Sequence, residues 1–272
     1  MEALMAMNKP STVQKLLALA ILLLLIVLTW RIRGLLETGL HEAIDRGNVA
    51  KVKTILSRHP KTVNAVDRTG RTALHLAVGE GNEPLVQLLL DSGANVNAQI
   101  TKPVALSDED TESGWTSLHI AISLGRTEIV KLLLARGADP NMTSRDGHSP
   151  LHMAAIAGQV EAAQWLVDKG ASVNLTNRKG CTALACAVIM KHADIVRLLI
   201  DRGAAVNTAD AMGATALHYA VKAGHVQIVR LLLDAKALTT ARDELGQTPL
   251  SLAVAQGHQQ IADLLRQRGA TQ

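Results

Sequence analysis

Apolar residues are laid down in two styles along this 272-residue chain. Residues 16–30 form one run of 15 without a charge. From Arg33 onward the apolar residues come in short bursts, and each burst has the same order. A glycine-containing turn leads to Thr or Ser (Thr72, Thr116, Ser149, Thr182, Thr215, Thr248), whose hydroxyl suits a helix start. A short apolar segment follows, headed by Leu74-His75, Leu118-His119, Leu151-His152 or Leu217-His218. It stops at Gly81, Gly125, Gly158, Gly224 or Gly257, and glycine suits a left-handed helix end. A second segment carries an apolar triplet, 88–90 in one copy and 231–233 in another. It stops at Gly93, Gly137, Gly170, Gly203 or Gly269. The pattern predicts two short helices per copy. Neither buries its apolar face alone, so neighbouring copies must stack.

The copies keep time. The turn glycines are Gly70, Gly114, Gly147, Gly180, Gly213 and Gly246. The last four intervals are 33 residues each and the first is 44, which places an insert of 11 residues at 100–110. Seven units follow from this spacing: 33–66, 67–99, 111–143, 144–176, 177–209, 210–242 and 243–272. The first unit is degenerate ("GLHEAIDRGN") and the last ends in "LLRQRGATQ"; polar end units fit a stack that exposes its two ends. The fifth unit has Ala185 at the histidine position and Lys191 at the first helix stop, and the sixth has Lys236 at the second stop. A non-glycine residue held left-handed costs about 1 kcal/mol, so these units are expected to be softer or to turn differently.

The segments "GRTALHLAV", "GWTSLHIAI", "GHSPLHMAA", "GATALHYAV" and "GQTPLSLAV", with "LLLDSGANVN" and "LLLARGADPN", closely resemble the ankyrin repeat family from Arg33 to the C-terminus. The resemblance implies an all-α solenoid of stacked helix pairs with β-hairpin-type turns. It also implies recognition of a protein partner through turn tips and the inner helix face. His41, His75, His119, His152 and His218 then have a structural role, bonding to backbone in the turn. Fold alone does not name the partner.

Ahead of the repeats, residues 1–15 read as a tail and 16–30 as a membrane helix. Fifteen residues span about 22 Å as a helix, short of the roughly 30 Å hydrocarbon core. Lys15 and Arg31 can snorkel, and Trp30 suits the headgroup layer. Eleven of the 15 are Leu, Ile or Val, worth roughly −3 to −7 kcal/mol of insertion. A cleaved signal peptide would have the same apolar length, but no A-x-A-like site follows. The expectation is a single-pass, uncleaved anchor. Its side is open, because Lys9 and Lys15 face Arg31, Arg33 and Arg46.

Composition narrows the chemistry. The chain is 48% hydrophobic but only 1% aromatic, so the core is Leu, Ile, Val and Ala. A net charge of +4 without a basic stripe argues against nucleic acid. His59, His148 and His192 form no ligand motif, and Cys181 and Cys186 suggest neither a disulfide framework nor a metal site. Cys186 falls at a core position; Cys181 falls at a variable turn position and is expected to be exposed. No phosphate loop or paired carboxylates stand out. The chain reads as a non-enzyme, without cofactor or small-molecule substrate. The sequons at Asn141 and Asn174 coincide with repeat consensus positions.

Variable repeat positions are the candidate binding residues. Trp115 and His148 follow turn glycines, and Leu124, Ile156, Ile189 and Met190 precede first-helix stops. All are expected to face a concave groove. Asp108, Glu109 and Asp110 in the insert stand upstream of Trp115, as a solvated acidic loop or as a recognition arm. Trp165 takes the position of Leu88 and is expected in the core. Two function classes follow: a membrane-tethered protein-interaction module, or a regulatory or immunity-type subunit that occludes an enzyme or toxin.

Overall fold

In a computed structural model, residues 39–101 and 112–270 are described. The expected anchor at 16–30 and the acidic residues Asp108, Glu109 and Asp110 lie outside them. Hydroxyls set the helix starts: Thr72 Oγ1 accepts from the His75 N–H, Ser149 Oγ from His152 and Thr182 Oγ1 from Ala185, at 3.3–3.4 Å. Each bond satisfies one of the orphan amides of a first turn. The helices run in pairs. α1 covers 39–45 and is followed by α2 (Val49–Arg58) and a 3-10 turn. Then come α3 (Ala73–Gly79) with α4 (Glu83–Asp91), α5 (Ser117–Ser123) with α6 (Thr127–Ala135), and α7 (Pro150–Ala157) with α8 (Val160–Asp168). α9 (Ala183–Ile189) pairs with α10 (Ala193–Asp201), α11 (Ala216–Lys222) with α12 (Val226–Asp234), and α13 (Pro249–Ala255) with α14 (Gln259–Gln267).

From α3 onward, each first helix packs on its own second helix and on the first helices of adjacent units; second helices likewise touch second helices. This yields one continuous core, stacked unit on unit. Ala77, Ala121, Ala154, Ala187, Ala220 and Ala253 occupy one repeat position and are fully buried. A larger side chain there would force the first helices apart. Around these alanines, Leu74, Leu118, Leu151 and Leu184 from the first helices meet Leu89, Leu133 and Leu166 from the second. Among the described residues no helix is long and apolar enough to cross a membrane.

The turns project as fingers. A single antiparallel bridge closes the base of three of them, at Val66 and Thr72, Gln99 and Thr116, and Thr176 and Thr182. Fingers also bond to one another: Arg145 N–H donates to Ser113 O, Arg178 to Asp146, Ala211 to Lys179 and Glu244 to Met212, at 2.8–3.0 Å. The turn glycine permits this approach. Gly180 has φ +77°, and a Cβ there would meet the Ala211 nitrogen at 2.9 Å. Asparagine side chains add a second seam. Asn64, Asn97, Asn141 and Asn207 each donate through Nδ2 to a carbonyl of the next unit and accept an amide from it through Oδ1.

Two details refine the sequence reading. Lys191 (φ 64°) and Lys236 (φ 66°) adopt the left-handed conformation, so their turns are built like the glycine turns of the other units. Ile100, the first residue of the expected insert, is a finger residue. It is buried, its N–H donates to Trp115 O at 2.8 Å, and its carbonyl accepts from Gly114 at 3.0 Å. Ser144 makes the same pair of bonds with His148 and Gly147. The extra residues therefore enter between Ile100 and Gly114, at the finger tip rather than between units.

Candidate functional site: the groove between fingers and first helices

Four of the five repeat histidines have no free edge; the fifth, His41, has a buried Nε2 without a partner among the described residues. Nδ1 of His75, His119, His152 and His218 accepts the backbone N–H of Thr72, Thr116, Ser149 and Thr215 at 3.0–3.2 Å. Nε2–H then donates to the carbonyls of Ala98, His148, Cys181 and Gln247 at 3.0–3.1 Å. The first bond fixes the tautomer that the second needs. Burial pushes His75, His119 and His152 down to about 4, so they stay neutral at physiological pH. They tie each helix start to a finger and leave no nitrogen for a proton transfer.

Cys181 is buried, contrary to its expected exposure. Its turn is drawn inward because Asn177 Oδ1 accepts the Cys181 N–H, and its Sγ lies 3.8 Å from Asp210 Oδ2 on the next finger. Burial and that carboxylate raise the thiol's pKa. Burial pushes the Cys186 thiol up to about 12. Neither sulfur is an available thiolate.

The groove residues divide into two kinds. Leu124, Ile189 and Met190 sit at the ends of α5 and α9 and are exposed by 49%, 42% and 47%. Ile156, at the repeat position of Ile189 on α7, is half-buried against the core. His148 is half-buried too; it meets the His152 ring edge-on at 5.8 Å, and its Nε2 accepts from Asn177 Nδ2 at 3.1 Å. Trp115 does not project freely. Its ring stacks on His119 at 6.3 Å and packs on the core, while its carbonyl holds Ile100. Trp165 reverses its expectation. It is 36% exposed on α8, with Lys131 Nζ 5.4 Å from its ring centroid. The repeat position explains this, since its counterpart Leu88 is itself only half-buried.

A further feature was not anticipated. Between the sixth and seventh fingers and the ends of α11 and α13 lies a hollow of about 360 Å³. Met212 and Leu245 form its finger side, exposed by 54% and 76%, and Tyr219 and Lys222 its helix side. The Tyr219 hydroxyl donates to Asp210 Oδ2, and Asp210 Oδ1 accepts from Met212 and Ala214, so the wall is braced. Lys222 occupies the repeat position of Ile156 and Ile189. The hollow thus shows fingertips and first-helix ends facing one another across the groove. The signal in the sequence was Met212 and Leu245, apolar where the other fingertips carry Thr69, Ser113, Asp146 and Lys179.

The family model for ankyrin repeats (three copies) matches residues 1–100, 101–144, 118–210 and 205–272. The chain belongs to the ankyrin repeat family. Rabankyrin-5 of Mus musculus is 40% identical over 77 residues, covering 24% of this chain and 7% of that protein. The inactive serine/threonine-protein kinase TEX14 of Bos taurus is 45% identical over 62 residues, covering 23% of this chain and 4% of that protein. The chain spans a small part of the length of either relative. Ankyrin repeats make it a protein–protein interaction module.

Proposed function

We propose that the chain is a membrane-tethered ankyrin module that seats a segment of a protein partner in the groove between its fingers and first helices. The observation that carries the reading is the row of exposed apolar residues on that face: Leu124, Ile189 and Met190, then Met212 and Leu245. None of these is needed by the core, and all five lie on the face between fingers and first helices. The charge-free run at 16–30 supplies the tether.

The test uses the full-length protein crosslinked in its own membranes and then solubilised. Replacing Leu124, Ile189 and Met190 together by Ser should abolish recovery of the partner. Because the three are surface residues, each change should move stability by only about 0.5 kcal/mol. Unchanged recovery would place the partner on another face. Release of the full-length protein by a high-pH carbonate wash would remove the tether from the proposal and leave the groove intact.

A further inference from the structure

We infer that the partner segment carries acidic residues beside an aliphatic or aromatic anchor, and that the fifth unit reads them. The inference rests on the groove reading above and adds the chemistry of the occupant. Charge along the groove is uneven. The two residues before each turn glycine are Arg68-Thr69, Glu112-Ser113, Arg145-Asp146, Arg178-Lys179, Ala211-Met212 and Glu244-Leu245. Only the fifth unit has two cations at its fingertip, with Arg145 on the finger before it. The same unit ends its first helix with exposed Ile189 and Met190, followed by Lys191. One repeat therefore presents cations and an apolar step on the two sides of the groove.

Several cations elsewhere are held in ion pairs. On the second helices, positive side chains bridge units: Arg136 to Asp91, Lys131 to Glu161, Arg202 to Asp168 and Arg268 to Asp234, at 2.7–3.1 Å. At the second and third fingers, Arg71 pairs with Glu112. Among the described residues, Arg145, Arg178, Lys179 and Lys191 take part in no such ion pair, although all four are exposed. Asp146 is the one carboxylate in these two turns.

Lys191 adds an independent observation. Its repeat position is glycine at Gly81, Gly125, Gly158, Gly224 and Gly257, all with positive φ. Lys191 keeps the left-handed backbone at φ 64° and carries the steric cost that glycine avoids. The Lys191 side chain follows directly on the exposed apolar step of Ile189 and Met190. Lys236 is equally strained at φ 66° but follows a second helix, away from the groove, and so serves as its control.

The probe is a displayed library of random 16-residue peptides, panned on the full-length protein in a neutral detergent. Peptides whose capture requires Leu124, Ile189 and Met190 should hold about threefold more Asp and Glu than the starting library, because interfacial charge selects partners by complementarity. The double variant Arg178→Glu, Lys179→Glu should lose these peptides and select Lys and Arg instead. For one such peptide made synthetically, Lys191→Gly should weaken binding about threefold to tenfold while raising the melting temperature. Lys236→Gly should raise the melting temperature and leave binding unchanged. Groove-dependent peptides without acidic enrichment, or equal capture by the double variant, would overturn the acidic partner and leave the groove standing. Failure to recover any peptide that depends on Leu124, Ile189 and Met190 would overturn the groove reading itself.

Discussion

Two glycines with nearly the same backbone offer a measurement of how tightly the units are coupled. Gly180 (φ +77°) is a fingertip glycine, and Gly203 (φ +80°) ends a second helix. Alanine at either position carries the left-handed penalty of about 1 kcal/mol. The surroundings differ. At Gly203 nothing lies within 4 Å of the added Cβ. At Gly180 it would meet Ala211 N at 2.9 Å, Asp210 Cα at 3.0 Å and Asp210 C at 3.1 Å, all backbone. The sixth finger must then move away, which breaks the 3.0 Å bond from Ala211 N–H to Lys179 O. That bond is worth about 1 kcal/mol, and relieving the overlap costs about 1–3 kcal/mol. Gly180→Ala should therefore lose about 3–5 kcal/mol against about 1 kcal/mol for Gly203→Ala. Urea unfolding of a chain shortened to begin at Arg33, followed by far-ultraviolet circular dichroism, separates the two. Gly203→Ala should shift the midpoint alone. Gly180→Ala should also broaden or split the transition, because nearest-neighbour coupling makes a solenoid unfold as one. Equal losses with parallel curves would refute the reasoning and show that the finger contacts carry no coupling.

Further outcomes follow from the same geometry. Lys236→Gly relieves strain without touching a neighbour and should stabilise the chain by about 0.5–1 kcal/mol, less than the full strain because glycine also frees the unfolded chain; a loss of stability in urea would count against it. His75, His119 and His152 are held near 4 when folded and return to about 6.5 when unfolded. The unfolded state therefore binds more protons between these values. Stability should be complete above pH 6.5 and fall toward pH 4 by about 1.4 kcal/mol per pH unit for each of these histidines, and His152→Gln should make a urea-midpoint series against pH measurably flatter. Trp165→Ala should cost about 1 kcal/mol, well below the 3–5 kcal/mol of a core tryptophan, and Trp115→Ala should cost more than Trp165→Ala in the same urea assay.

The repeat was legible because its physics is local. Thr72, Gly81 and Gly93 mark a helix start and two helix stops by their own conformational preferences, and six near-copies of that order leave no other stacking. The left-handed positions of Lys191 and Lys236 could be placed in the same way, by register. Exposure was harder to read. Trp115 is more covered and Trp165 more exposed than expected, because repeat register gives the position in a unit, whereas burial depends on which side chains pack over it. His119 turns a ring toward Trp115, and Leu88 shows that the Trp165 position is only half-covered. Cys181 was misread for the same reason, since its cover is Asp210, 29 residues downstream. The hollow at Met212, Tyr219 and Leu245 needed two fingers and two helices at once, and no single stretch of sequence contains it.

The closed base of the third finger has a consequence for how such a chain can be modified. Ile100 spends both of its backbone groups on Trp115 and Gly114, so the finger is sealed below its tip. Thirteen residues stand between Ile100 and Gly114, where two stand between Ser144 and Gly147. Loop-closure entropy grows only logarithmically, so this lengthening costs about 1.7 kcal/mol, spent once and confined to the tip. The register of every later unit is untouched. The third finger is thus an insertion port: foreign peptides, epitopes or reporter sequences can be exchanged there, and each graft would inherit a fixed address beside the groove without renegotiating the fold.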